Sequence, residues 1–131
     1  MRYISYNNDG EGVVMKFEVE FYKTENGKEP IAEFLDSLDN KMAAKLVGLM
    51  EILEEKGTEL RMPYSEHLEE GIFELRCKQG SNITRVLYFF FVGRKIIVTN
   101  GFVKKTQKTP PKEIKLAKER RADWIRRYKE D

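Results

Sequence analysis

Cysteine and histidine are nearly absent from this chain of 131 residues, which contains one of each. A single cysteine, Cys77, cannot form an internal disulfide, and this fits a reducing compartment. A single histidine, His67, excludes the paired-histidine chemistry of the commonest ribonucleases and a His-rich metal site. His67 is therefore expected to be structural or to face solvent. Chemistry at any site must come from other residue types, and no metal or other cofactor is expected.

Long apolar runs are also missing from the sequence. No run reaches the roughly 20 residues that a helix needs to span a bilayer, and the first residues lack the apolar core of a secretory signal. A cytoplasmic location without membrane contact is the expectation. Hydrophobic residues make up 40% of the chain and charged residues 35%, which is typical of a highly charged globular protein. The length predicts a single domain over residues 1–131.

Charge is distributed unevenly along the sequence. Residues 1–73 contain 8 Lys/Arg and 16 Asp/Glu, a net charge of −8, whereas residues 74–131 contain 16 Lys/Arg and 6 Asp/Glu, a net charge of +10. A basic region of this size is the usual electrostatic footprint of a nucleic-acid binder. The alternative is an excess of cations on solvated faces with no partner.

Apolar periodicity predicts an α+β fold with the element order β-α-α-β-β-β-α. The expected strands cover residues 16–22, 71–78, 83–92 and 96–103, and the expected helices begin near Pro30, Asp39 and Thr109. The last three strands lie at hairpin spacing, so we expect an antiparallel sheet with two N-terminal helices and one C-terminal helix. The domain core is expected over residues 15–128. Residues 1–14 should be weakly structured or form a short edge element, and residues 58–70 should form a loop.

Residues that favour helix ends support these boundaries. Pro30 suits the first turn of a helix, and Asp39 suits an N-cap position. Gly57 suits the C-terminal end of the second helix. Thr109 is expected to cap the third helix, with Pro110 as its first residue.

The three strand-like runs and the segment after them carry cations: Arg76, Lys78, Arg85, Lys104, Lys105 and Lys108. Because strands hold side chains in fixed positions, this pattern suggests a site for a polyanion.

Three motifs in this region occur together: Glu74-Leu75-Arg76, then Arg85-Val86-Leu87-Tyr88, then a segment from Gly101 to Pro110 that reads Gly-Phe-Val-Lys-Lys-Thr-Gln-Lys-Thr-Pro. In combination with the element order, they resemble the phage-derived (Gp49-like) branch of the RelE/HigB toxin superfamily. The resemblance covers roughly residues 15–128. The sequence departs from RelE-type members, which carry further catalytic side chains on the strand equivalent to residues 72–74.

The resemblance implies a RelE-like fold and the toxin of a type II toxin–antitoxin pair. Such a toxin is an endoribonuclease that cleaves mRNA in the ribosomal A site and uses no metal. It also implies two kinds of partner, the ribosome with its mRNA and a cognate antitoxin with a helix-turn-helix DNA-binding domain.

Cleavage of RNA without a metal needs a base for the 2′-hydroxyl, cations on the phosphorane and a proton donor for the leaving 5′-oxygen. A lysine is a weak base at its ordinary pKa of ~10.4, but like charges around it lower that pKa. Lys104 and Lys105 lie in such a run of cations. Part of the rate can come from the ribosome, which holds the mRNA in an in-line geometry.

The predicted catalytic residues are Arg85, Lys104, Lys105 and Arg76. Arg85 either clamps the scissile phosphate or forms a structural ion pair with a carboxylate such as Glu74. Arg76 has the same two alternatives. Lys104 or Lys105 is the candidate general base, and the alternative is that both only position phosphate.

The predicted RNA contacts are Lys78, Tyr88, Lys108 and Lys112. The three lysines are candidates for binding backbone phosphates. Tyr88 either stacks on a base or acts as an acid, or it is a buried tyrosine of the sheet.

Two other classes of function are compatible with the same residues. One is a basic nucleic-acid-binding module without catalysis. The other is a protein-interaction domain whose basic face meets an acidic partner. Toxicity on induction separates the toxin from both, and salt-sensitive binding to naked nucleic acid separates these two from each other.

Overall fold

The structure is a computed structural model that describes residues 3–6, 12–104 and 108–128. In chain order its elements are β1 Tyr3–Tyr6, β2 Gly12–Met15, β3 Glu18–Phe21, α1 Pro30–Ser37, α2 Asn40–Lys56, a short 3-10 helix Gly57–Glu59, β4 Ser65–Glu69, β5 Ile72–Gln79, β6 Asn82–Phe91, β7 Lys95–Lys104 and α3 Pro111–Tyr128.

The main sheet has five strands in the order β3-β7-β6-β5-β4. Strands β4 to β7 form an antiparallel meander, which confirms the predicted α+β class and the antiparallel pairing of the last three predicted strands. The edge strand β3 instead runs parallel to β7, with Glu18 beside Lys95, so the sheet is mixed rather than wholly antiparallel. Parallel strands need a long connection, and α1, α2 and the meander provide it here.

Strand β4 lies where the sequence predicted a loop over residues 58–70. Leu68 is the one aliphatic residue in Ser65–Glu69, so no apolar alternation marks the strand. Its pairing with β5 also contains a register shift between His67 and Glu69. The segment forms a strand because it pairs with β5, although its own sequence has only a weak preference for strand structure.

The N-terminal strands β1 and β2 form a separate two-stranded antiparallel sheet, with Tyr3 opposite Met15. The sequence predicted a weakly structured segment or a short edge element over residues 1–14. The structure shows two short paired strands there, and residues 1, 2 and 7–11 lie outside its description.

Helices cover both faces of the main sheet. One core lies between the sheet and helices α1 and α2, and includes Leu46 and Leu53 of α2 with Leu75 and Val86 of the sheet. A second core lies beneath α3 and includes Ile72, Leu87, Phe89, Ala117 and Trp124. Alternate residues of β5 and β6 therefore enter different cores. The two-sided burial of β6 agrees with its nearly continuous apolar sequence.

The predicted helix ends are confirmed for α1 and α2. Pro30 is the first residue of α1. The Asp39 carboxylate accepts a hydrogen bond from the Met42 amide at 2.8 Å and caps α2. Gly57 ends α2 at φ 54°, and a Cβ there would collide with the Phe17 ring, so only glycine fits.

The third helix begins at Pro111, one residue later than the sequence predicted. Thr109 is therefore not its N-cap. The Thr109 side chain is buried, and its hydroxyl hydrogen-bonds Glu74 of β5 instead.

Candidate functional site

A cleft opens where β4, β5 and the start of α3 meet. It encloses about 260 Å³ and is lined by Glu66, His67, Leu68, Arg76, Lys108, Thr109 and Ile114. Polar and charged side chains from three separate parts of the sequence therefore converge on one cavity. An arrangement of this kind is typical of a functional site.

Arg76 is the cation of the cleft that two carboxylates hold by ion pairs. Its Nε donates to Glu74 Oε1 at 2.7 Å, and its NH2 group donates to Glu66 Oε2 at 2.7 Å. The two carboxylates come from β5 and β4 and hold the guanidinium from different sides. Its side chain keeps 18% of its surface exposed, so Arg76 is fixed in position and still accessible from the cleft.

Beneath Arg76 lies a fully buried ionic network. Glu74 and Arg85 have no exposed side-chain surface, and Arg85 NH1 lies 3.6 Å from Glu74 Oε2. The Thr109 hydroxyl donates to the same Glu74 oxygen and accepts from Arg85 NH1 at 3.4 Å. Glu74 therefore links both arginines to the residue that follows Lys108.

The strand register explains why this carboxylate is needed. Arg76 of β5 lies directly opposite Arg85 of β6. Like charges at directly opposite positions of an antiparallel pair repel each other. Glu74 lies two residues from Arg76 on the same face of β5, and it provides the negative charge between the two cations.

The structure separates two predicted site residues from the cleft. Arg85 is fully buried in its contact with Glu74, which is the structural ion pair that the sequence left as one of two alternatives. Tyr88 packs in the core beneath α1 and α2, on the sheet face opposite to Arg85, and is 1% exposed. Its hydroxyl lies 2.5 Å from Ser65 Oγ, and burial raises its pKa to about 12. Neither side chain can touch RNA in this arrangement, because neither reaches the surface.

The predicted lysines fall in several places. Lys108 is exposed and lines the cleft. Lys112 is exposed on the first turn of α3, and Lys78 is exposed near the end of β5, outside the cleft. The backbone of Lys104 ends β7, but its side chain and the whole of Lys105 lie outside the described residues.

Comparison with known protein families matches residues 33–122 to the family described as "Phage derived protein Gp49-like (DUF891)". The match covers more than half of the chain, from α1 to most of α3. The chain belongs to the Gp49-like family of phage-derived proteins. This is a family of RelE-like toxins, so the resemblance predicted from the three motifs is confirmed. No curated protein matches the chain.

The family match includes every residue that lines the cleft. Two lining residues that contact the charged network, Glu66 and Thr109, are absent from the sequence-based site prediction. Glu66 lies on β4, which lacks the apolar alternation of a strand, and Thr109 appears in the sequence only as a helix cap. No signal in the sequence pairs Glu66 with Arg76 or Thr109 with Glu74, because these contacts join separate elements.

His67 lines the cleft as well, but one of its nitrogens is already engaged. Nε2 accepts a hydrogen bond from the Gly71 amide at 3.0 Å, and the ring lies 4.9 Å from that of Phe73. The side chain is exposed. These contacts agree with the structural, solvent-facing role that the sequence predicted for it.

The opposite charges of the two sequence halves are not segregated in this Gp49-like fold. Glu66 pairs with Arg76 at 2.7 Å, and Lys118 of α3 pairs with Glu69 at 2.6 Å and Glu70 at 2.5 Å. Carboxylates of the acidic half thus neutralise cations of the basic half. Within the described part of residues 74–128, four exposed lysines make no ion pair with a described residue: Lys78, Lys108, Lys112 and Lys115.

Two further features concern only the described part of the chain. It contains no group of three or more His, Cys, Asp and Glu side chains placed to hold a metal ion. None of its helices is long and apolar enough to cross a membrane.

Proposed function

We propose that this chain is the toxin of a type II toxin–antitoxin pair and acts as a metal-independent endoribonuclease on ribosome-bound mRNA. The observation that carries the proposal is the cleft: a member of a RelE-like toxin family holds Arg76 and Lys108 at one cavity. A polyanion that enters this cavity meets the fixed guanidinium of Arg76 and the ammonium group of Lys108, which pairs with no described residue.

The chemistry is an in-line attack of a ribose 2′-oxygen on the adjacent phosphorus. The bond from phosphorus to the 5′-oxygen breaks, the 2′-proton goes to a base, and the 5′-oxygen receives a proton. Charge develops on the non-bridging oxygens, where cations stabilise it most. In this proposal Arg76 and Lys108 provide those cations, and Lys104 or Lys105 acts as the general base.

Arg85 takes a different role from a phosphate clamp. It is buried against Glu74 and Thr109, and through these two residues it contacts the side chains at the cleft. We assign it as a positioning residue that supports Arg76 and the segment bearing Lys108.

The proposal includes partners that act in the cytoplasm. The ribosome holds the mRNA in an in-line geometry, which offsets the weak basicity of a lysine. A cognate helix-turn-helix antitoxin binds the toxin and keeps it inactive. Lys78 and Lys112 are proposed to bind RNA backbone outside the cleft.

The test is to induce the wild-type chain and its variants in cells and to map mRNA 5′ ends. Wild type should arrest growth and produce new cleavages in the reading frame of translated messages. Lys108→Ala should reduce cleavage about tenfold, equivalent to about 1.4 kcal/mol of transition-state stabilisation. Lys108 is exposed and makes no described ion pair, so this variant should fold normally.

Lys41→Ala is the matched control because Lys41 is an exposed lysine of α2, on the opposite side of the sheet from α3. It should arrest growth like wild type. Absence of arrest and cleavage with folded wild-type protein would contradict the toxin assignment and favour a non-catalytic nucleic-acid-binding module. Equal cleavage by wild type and Lys108→Ala would contradict the assigned cleft only.

A further inference from the structure

A second cavity, larger than the cleft, lies between α2 and the hairpin of β5 and β6. It encloses about 610 Å³ and is lined by Lys45, Gly48, Leu49, Ile52, Pro63, Tyr64, Arg76, Cys77, Lys78 and Ile83. We call it the α2 groove. Its floor is aliphatic, and two apolar side chains at its edge are strongly exposed, Ile52 at 44% and Tyr64 at 52%. Apolar exposure next to a groove marks an interaction site.

Gly48 adds an independent observation. It lies in the interior of α2, where glycine costs about 1 kcal/mol relative to alanine. A Cβ at this position would meet no atom of the chain within 4 Å. No contact within the described fold therefore requires glycine here, whereas close approach of a second backbone would require it.

The charged side chains that line the groove are all cations, and one of them, Arg76, already pairs with Glu66 and Glu74. The groove lining contains Lys45, Arg76 and Lys78 and no carboxylate. Lys45 Nζ donates to the Lys78 backbone oxygen at 2.8 Å, so the first cation is held at the rim. Lys78 is exposed without a described ion pair. An occupant with acidic flanks would be complementary.

These features select one class of occupant. An amphipathic helix places aliphatic side chains at i, i+3, i+4 and i+7 into an apolar groove. Single-stranded RNA instead uses several aromatic platforms, and the α2 groove offers one aromatic side chain, Tyr64. We infer that the α2 groove binds an acidic amphipathic helix of a second protein.

The position of the groove gives this binding a consequence. Arg76 lines both the α2 groove and the cleft. Its NH1 group lies 4.0 Å from the sulfur of Met62, away from the two carboxylates that hold Nε and NH2. A carboxylate of the docked helix can therefore compete for Arg76 and weaken RNA binding in the cleft. This consequence rests on the proposed function, but the docking itself does not.

The experiment uses a synthetic fluorescent peptide of about 20 residues, long enough for about five helical turns, with leucine on one face and glutamate on the other. A second peptide carries lysine in place of every glutamate. Fluorescence anisotropy with the full chain should show binding of the acidic peptide and at least tenfold weaker binding of the basic one. Ile52→Asp should weaken binding of the acidic peptide about tenfold, equivalent to about 1.4 kcal/mol of binding free energy. The double variant with Lys45→Glu and Lys78→Glu should also weaken binding of the acidic peptide about tenfold.

Val92→Asp is the matched control, since Val92 is an apolar residue exposed to 56% in the turn after β6 and does not line the groove. It should bind the acidic peptide within about twofold of wild type. Thermal unfolding of each variant separates loss of binding from loss of folding. The peptide assay needs no RNA, so its failure is distinct from failure of the proposed cleavage.

Several outcomes would overturn the inference. No binding of the acidic peptide, or equal binding of the basic one, removes the charge argument. If Val92→Asp and Ile52→Asp weaken peptide binding equally, the peptide binds outside the α2 groove. A dimer in light scattering that Ile52→Asp dissociates identifies a second copy of this chain as the occupant. If wild type binds a labelled single-stranded RNA and Ile52→Asp weakens that binding, RNA is the occupant of the groove.

Discussion

Glu74 is the residue on which the geometry of the cleft depends. Its carboxylate contacts Arg76, Arg85 and Thr109, which come from β5, β6 and the segment before α3. A buried ionic network adds little net stability compared with apolar side chains of similar volume. We therefore interpret it as a device that sets the positions of Arg76 and Lys108, at the cost of burying charge.

Glu74→Gln tests that interpretation through stability. The change leaves two arginines close together without the buried negative charge, and loss of one partner in such a network costs about 3–5 kcal/mol. We expect the free energy of unfolding in urea to fall by about that amount. Glu51→Gln, at an exposed position of α2, should change it by less than about 0.5 kcal/mol. Similar effects of the two changes would contradict the assigned network.

Thr109 links the same network to the cleft. Thr109→Val keeps the shape of the side chain but removes the donor to Glu74 and the acceptor from Arg85. Unfolding free energy should fall by about 1–3 kcal/mol, the cost of unsatisfied buried polar groups. Thr109→Ser restores the hydroxyl and should recover most of it.

The cleavage assay distinguishes positioning of Lys108 from a contribution to stability alone. If Thr109 positions Lys108, cleavage by Thr109→Val should fall more than cleavage by a variant of equal stability altered elsewhere, and Thr109→Ser should restore it. Normal cleavage by folded Thr109→Val would limit Thr109 to a structural role.

At the scale of elements, polar contacts fix α3 against the edge of the sheet. The Tyr22 hydroxyl, just after β3, donates to Asp123 Oδ2 at 2.6 Å, and Arg127 donates to the same oxygen at 2.7 Å. The guanidinium groups of Arg120 and Arg127 lie 5.5 Å from the centre of the Tyr22 ring. Burial and then the hydrogen bond to Asp123 raise the pKa of Tyr22, whereas hydrogen bonds from Tyr22 and Arg127 lower the pKa of Asp123.

These two shifts predict a stability difference that depends on pH. Tyr22→Phe should lower the unfolding free energy by about 1 kcal/mol at neutral pH, the worth of one hydrogen bond. A raised Tyr22 pKa gives stability that is present below the ordinary tyrosine value of 10.0 and is lost as pH rises through the folded-state value. A lowered Asp123 pKa gives stability that is present above the ordinary value of 3.8 and is lost as pH falls through the folded-state value.

Urea unfolding of wild type and Tyr22→Phe at several pH values measures this difference. The difference in unfolding free energy should be largest between the pKa of Asp123 and the pKa of Tyr22. It should shrink as the pH approaches either pKa. Tyr64→Phe is the control, because Tyr64 is 52% exposed. A constant difference across the whole range would show that Tyr22 contributes through packing rather than through its hydrogen bond.

At the scale of the whole molecule, the net charge of the second half of the sequence overstates the free positive charge. Carboxylates on β4 and in the turn after it neutralise Arg76 and Lys118, and Asp123 pairs with Arg126 and Arg127 within α3. In the described part of residues 74–128, the exposed lysines without an ion pair are Lys78, Lys108, Lys112 and Lys115. RNA binding should therefore depend on salt less steeply than the sequence suggests.

The salt dependence of binding to a short single-stranded RNA measures this quantity. The logarithm of the binding constant falls with the logarithm of salt concentration by about 0.7 per phosphate contact. Phosphate contacts from three or four of the exposed lysines in residues 74–128 predict a slope of about −2 to −3. Lys108→Ala should reduce its magnitude by about 0.7, and Lys41→Ala should leave it unchanged. A slope steeper than about −7 would contradict the pairing of cations within the fold.

Sequence periodicity and chemistry determined much of this protein. The alternation in β3 and β5, the apolar run of β6, Asp39 at the start of α2 and Gly57 at its end are local signals, since each depends on a face or a turn of the chain. Three motifs in residues 74–110, together with the predicted element order, indicated the family, because motifs record residue types at fixed spacing.

Only the tertiary structure decided which elements pair and which charges meet. The parallel contact of β3 with β7, the addition of β4 to the sheet and the contact of Glu74 with Thr109 join residues far apart in sequence. Alternation shows that a side chain faces a core, but it does not show which side chain lies opposite. The burial of Arg85 and the exposure of Lys108 at the cleft follow from those pairings, so the division of the cations into structural and accessible groups had to come from the fold.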